Sequence, residues 1–161
     1  MQKGRWFVVA SAILMLLPAV AMAQEDDAQV DAAPGTNFEK TVAFDSLKVL
    51  ALDGKAGEVD VKSVEFTVAN KKSGGFMGIG GSETDFEAVI TTRISCATTD
   101  TTKWKLGIMV DFLDEDGNVI DRVTNSDSIK NNEKKIDFKH TTLKWALSHI
   151  KEARVTVVAN Q

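Results

Sequence analysis

Apolar and polar residues alternate along two neighbouring runs, residues 86–96 and 104–112. Phe86, Ala88, Ile90, Ile94 and Cys96 share one parity in the first run, and Trp104, Leu106, Ile108, Val110 and Phe112 share one in the second. Between them stand Asp85, Glu87, Thr91, Arg93, Lys103, Lys105 and Asp111. A period of two with charge on the off-beats is the signature of a half-buried strand. With a turn over residues 98–102 the two runs are expected to form a hairpin. Cys96 then lies opposite Trp104, Ile94 opposite Leu106, Ile90 opposite Val110 and Ala88 opposite Phe112. A slip of one residue would turn one apolar face into water, so pattern and pairing support each other. Such a pair needs a second layer to cover it.

The flanking chain repeats the theme. Residues 41–50 read as one strand whose parity shifts from Val42 and Phe44 to Leu47 and Val49, which points to a bulge or kink. Asp53-Gly54 and Gly57 mark turns before a strand over residues 59–70, whose parity shifts from Val59 and Val61 to Val64, Phe66 and Val68. Such a shift fits a strand crossing between the sheets of a sandwich. Further strands are expected over residues 118–124, 134–140 and 154–159, with a polar loop over 125–132. Leu143, Leu147 and Ile150 recur at helical spacing, so a short helix over residues 143–152 is expected, capped by Thr142. The sum is an all-β fold, an antiparallel immunoglobulin-like β-sandwich of about seven strands with one short helix before the last strand.

The N-terminus changes the picture from fold to destination. Lys3 and Arg5 precede an apolar run over residues 7–17, and Ala21-Met22-Ala23 offers the small residues that a signal peptidase reads. The run is shorter than the roughly 20 residues of a bilayer-spanning helix, and Pro18 interrupts its end. Residues 1–23 therefore read as a signal peptide, residues 24–37 as a disordered acidic leader, and residues 38–161 as the β-sandwich domain. Removing Lys3 and Arg5 from 19 basic residues leaves 17 against 23 acidic ones, a formal net charge of −6. That excludes the basic stripe a nucleic-acid surface requires. The single Cys96 cannot form an internal disulfide, and its apolar parity marks it as a buried, inert thiol.

Asp114-Glu115-Asp116-Gly117-Asn118 has the acidic alternation that opens an EF-hand loop. With Gly117 at the sixth position of such a loop, the first and twelfth positions are Phe112 and Val123, neither of which offers an oxygen side chain. A hairpin turn with glycine at positive φ is the reading that remains, with weak calcium binding by Asp114 and Asp116 as its alternative. The Gly-rich stretch 73–82 lacks the Gly-Lys-Ser/Thr of a phosphate loop and carries Phe76, Met77 and Ile79. These three are the candidate partner contacts, either offered to a partner protein or membrane surface, or folded back over one end of the sandwich. For catalysis the inventory is thin. His140 and His149 fall on different elements, Cys96 has no evident histidine partner, and His149 with Glu152 makes at most a surface pair on the expected helix.

Val110-Asp111-Phe112-Leu113-Asp114, followed by Gly117, Val119 and Ile120, resembles the motif of FxLYD domains. These are exported bacterial immunoglobulin-like β-sandwich modules, in which Phe-x-Leu-Tyr-Asp ends a strand and an Asp-Gly turn leads into the next. Val110 stands here for the phenylalanine, Phe112 for the leucine and Leu113 for the tyrosine, while Asp114 is kept. The resemblance implies a fold and an extracytoplasmic setting and transfers no catalytic residue.

These readings converge on a non-enzymatic binding or accessory module, exported to the periplasm or the cell exterior, with a protein partner, no nucleic acid and no cofactor. Strand addition at an exposed sheet edge is one binding mode open to it. The alternatives are an envelope or membrane-associated structural protein touching lipid through residues 73–82, and an enzyme or metal binder using His140 or His149.

Overall fold

Val59, Val61, Val64 and Phe66 are all fully buried while Asp60, Glu65 and Thr67 face outward, and comparable alternation runs through most of the chain. A computed structural model describes residues 36–72 and 83–161. The expected signal peptide, most of the expected acidic leader, and Phe76, Met77 and Ile79 lie outside the described residues. Among the described residues eight strands form: β1 (Asn37–Ala43), β2 (Val49–Ala56), β3 (Val59–Lys72), β4 (Glu83–Thr98), β5 (Trp104–Leu113), β6 (Val119–Ile129), β7 (Asn132–Leu143) and β8 (Glu152–Asn160), with α1 (Lys144–His149) before the last.

They build two antiparallel four-stranded sheets, one in the order β1-β8-β5-β6 and the other β2-β3-β4-β7. The expected sandwich is therefore present, with eight strands in place of about seven. The order differs from the ABED and CFG sheets of an immunoglobulin constant domain, so the likeness lies in the two-layer architecture. The core fills the space between the sheets. Phe66 of β3 and Phe112 of β5 approach from opposite layers with ring centroids 6.0 Å apart, and Phe44 closes the triangle at 5.1 and 5.8 Å. These are the spacings at which aromatic rings pack edge to face.

The central expectation needs correction. The runs read as one hairpin are β4 and β5, and they belong to different sheets: β4 pairs with β3 and β7, while β5 pairs with β6 and β8. Residues 99–103 carry the chain from one layer to the other. Asp100 organises that crossing, since its carboxylate accepts from Thr102 N and Trp104 Nε1, each at 2.8 Å, and its carbonyl from Asn131 N at 2.8 Å. The apolar faces of the two strands thus meet across the core rather than lying side by side.

Other boundaries shift for related reasons. Residues 41–50 hold two strands in different sheets, separated by an Asx turn in which Asp45 Oδ1 accepts from Leu47 N at 2.9 Å. The parity change in β3 is a bulge at Lys62, where pairing with β4 jumps from Val61 to Ser63. The polar loop expected over residues 125–132 is mostly strand, leaving only a tight turn with Asn131 at φ 41. Helix α1 stops at His149 and has no side-chain cap; Thr142 is buried in β7 and Glu152 begins β8.

Because β6 and β7 close the same side of the two sheets, their side chains join across that seam. Lys134 Nζ lies 2.6 Å from Asp127, and His140 Nε2 lies 2.6 Å from Asp121. On the opposite side Lys40 of β1 donates to the Ala51 and Leu52 carbonyls of β2, at 3.1 and 2.9 Å. A lysine occupying edge carbonyls is a standard block against strand addition.

A candidate contact surface at the α1 end

Parity would place Phe86 inward with Ala88 and Ile90, yet it is 78% exposed. The cause is a break in pairing: the β3 to β4 register runs regularly to Asn70↔Ala88 and resumes only at Lys72↔Glu83, so on the β3 side residues 84–87 stand against Lys71 alone. Phe86 is pushed out by that irregular stretch. On the other flank β7 ends at Leu143, the cross-strand partner of Glu87, and Leu143 is 55% exposed. Two residues later Trp145 on α1 is 69% exposed. Three large apolar side chains thus leave neighbouring backbone positions at one end of the sandwich. Exposed apolar groups gathered in one place are more informative than scattered ones.

The tryptophan is held in place. His149 sits one helical turn on, with its ring 4.6 Å from that of Trp145 at an interplanar angle of 40°. The Ser148 hydroxyl and His149 Nδ1 both donate to the Trp145 carbonyl, at 2.6 and 2.8 Å. On the inner side Ala146 and Ile150 are buried, which anchors the helix to the body. Charged residues of both signs neighbour these positions along the chain. Lys71 pairs with Glu87 at 3.0 Å, Asp85 precedes Phe86, and Lys144 precedes Trp145.

The remaining candidates fall elsewhere. His140 lies at the β6/β7 seam, stacked on Phe112 with centroids 6.2 Å apart, and His149 lies on α1. Cys96 is buried and free, and burial, with the Asp127 charge second, pushes its thiol up to about 11. Asp114 and Asp116 form the β5/β6 turn. There Asp114 Oδ1 accepts from Asp116 N and Asn118 N at 2.9 and 2.8 Å, and Gly117 takes φ 80. Among the described residues no group of three or more His, Cys, Asp and Glu side chains converges on one point, and no helix is long and apolar enough to cross a membrane. One basin of about 470 Å³ opens on the outer face of the second sheet, among Lys62, Ser63, Ser95, Cys96, Glu133, Lys134 and Lys135. Its wall includes the buried Cys96, whose thiol burial pushes up to about 11.

A feature the pattern did not expose is the environment of Asp111. It stands on the outward parity of β5, yet is only 1% exposed because Arg122 of β6 and Arg154 of β8, its cross-strand neighbours, close over it. Arg122 Nε donates at 2.5 Å and Arg154 Nη2 at 2.8 Å. Burial pushes the Asp111 carboxyl up, and the two guanidiniums outweigh it, holding the group below the usual carboxylate range. Pairing an outward Asp with two arginines on adjacent strands was the available signal, but it requires the strand order first.

No family model and no curated protein matches the chain. Among solved structures the chain is similar to the enzymatically active domain of bacteriophage CBA120 tailspike protein 4, at 11% identity and a TM-score of 0.27. The alignment covers 78% of this chain and 17% of that one. A likeness at this level carries no argument about function.

Proposed function

We propose that the protein is an exported, non-catalytic binding or accessory module that engages a protein partner in the periplasm or outside the cell, through the α1 end of its sandwich. The observation that carries this reading is the gathering of Phe86, Leu143 and Trp145 at one end, each more than half exposed. Large aromatic anchors of this kind supply most of the energy at protein contacts. Export is supported by the pattern of residues 1–23, and a module of FxLYD type is supported by the spacing from Val110 to Gly117. The closed seams at Lys40, Lys134 and His140 favour the end of the sandwich over strand addition at its edges.

The test compares wild type with a Phe86→Ser, Leu143→Ser, Trp145→Ser variant in affinity capture from the native cell envelope. The variant is expected to keep its fold, because the three side chains are exposed, and to lose a protein captured by wild type. Equal capture by both would rule this surface out. Sedimentation with phosphatidylethanolamine and phosphatidylglycerol vesicles separates a protein partner from a lipid one.

A further inference from the structure

We propose that the partner at the α1 end is a second copy of this chain, apposed about a two-fold axis. The inference rests on the reading of this end as a contact surface and names its occupant.

A two-fold contact places one patch on itself, so the patch must be self-complementary. A surface with charge of one sign around its apolar centre repels its own copy. Here the two signs sit on different elements, Asp85 beside Phe86 on β4 and Lys144 beside Trp145 on α1. Neither charge has an ion-pair partner among the described residues, whereas Lys71 and Glu87 neutralise each other. Rotation by half a turn carries Asp85 of one copy toward Lys144 of the other, twice, while Phe86 and Trp145 meet at the centre. Overall the chain is acidic, with a formal charge of −4, or −6 without Lys3 and Arg5, which opposes self-association over most of its surface.

Size sets the strength. An aromatic side chain offers roughly 150–250 Å², so the exposed parts of Phe86 and Trp145 together present about 200–400 Å² per copy. Doubled, this stays below the roughly 1,200–2,000 Å² of a stable interface. The dimer is therefore reversible, and its detection requires concentrations from about 10 µM to about 1 mM.

Sedimentation equilibrium on the chain as processed in the cell, purified across that range, tests the proposal. Wild type is expected to dimerise, and Phe86→Ser with Trp145→Ser to remain monomeric with an unchanged circular dichroism spectrum. Lys144→Glu and Asp85→Lys are each expected to weaken the dimer at least about 3-fold by placing like charges together, and the two combined to restore it. A wild type that stays monomeric up to about 1 mM overturns the proposal, as does a dimer indifferent to all four substitutions. If wild type is monomeric while the exposed-residue variant still loses a captured envelope protein, the contact surface stands and only the second copy falls. If capture is also unchanged, both fall.

Discussion

His140 of β7 hydrogen-bonds Asp121 of β6 through Nε2 and Oδ2 at 2.6 Å, so one side-chain contact joins the edges of two different sheets. Burial pushes the Asp121 carboxyl up, and hydrogen bonds led by that from His140 outweigh it, leaving the group below its ordinary range. A carboxyl depressed on folding contributes stability above its unfolded pKa, about 3.9, and the contribution is lost as pH falls through the lower folded value. Asp121→Ala is expected to cost about 1–2 kcal/mol in urea unfolding at pH 7. Its deficit relative to wild type should shrink below about pH 4. A deficit that grows on acidification would contradict the linkage.

Asp111→Ala leaves Arg122 and Arg154 side by side without the carboxylate between them. Hydrogen bonds to charged partners contribute about 1.5–3 kcal/mol each way, and both arginines keep partial access to water, so a loss of about 2–3 kcal/mol is expected. Replacing Arg154 as well, by methionine, should recover part of it, because the repulsion then disappears. Thermal unfolding of the single and double variants measures this, and strict additivity would show that the three side chains do not act as a unit.

The layered all-β fold was legible because period-two alternation survives in β3, β4, β5 and β8, whose inward faces are buried. Which strand pairs with which was not. A five-residue link between two alternating runs suits a hairpin and a crossing between layers equally well, and Asp100 decides between them only once Trp104 and Asn131 are in place around it. The seam strands misled for another reason. Asp127 looks like a loop residue, but it faces the β6/β7 gap, where Lys134 makes polarity favourable. At the α1 end, Phe86 read as core from parity alone, and its exposure follows from a pairing break that leaves no mark in the pattern.

Gly54 of β2 lies under the Phe38 ring of β1, which occupies the place a side chain would take. Gly54→Ala must displace an aromatic ring that is packed against the core, with an expected cost of about 1–3 kcal/mol. Phe38→Leu in the same chain should relieve the overlap, so the double variant is expected to be more stable than the sum of the single effects. Equal stability of Gly54→Ala and wild type would mean that the ring moves at no cost.

With its thiol raised to about 11 and its side chain in the core, Cys96 should resist disulfide-exchange labelling at pH 8 in the folded protein and react at once in guanidinium. Rapid labelling of the native state would place the sulfur within reach of solvent.

Asp114 already spends its carboxylate on the turn it begins. Oδ1 accepts two backbone N–H groups and Oδ2 accepts Asn118 Nδ2 at 3.1 Å, which leaves Glu115 and Asp116 as the other acidic side chains of the turn. A calcium ion would have to compete with those bonds, and it takes six to eight oxygen ligands, more than this hairpin presents. The melting temperature is therefore expected to stay constant on addition of millimolar calcium, whereas Asp114→Ala should lower it with or without the ion by releasing the Asp116 and Asn118 amides. A clear calcium-dependent rise in wild type, absent in Asp114→Ala, would instead make this turn a cation site.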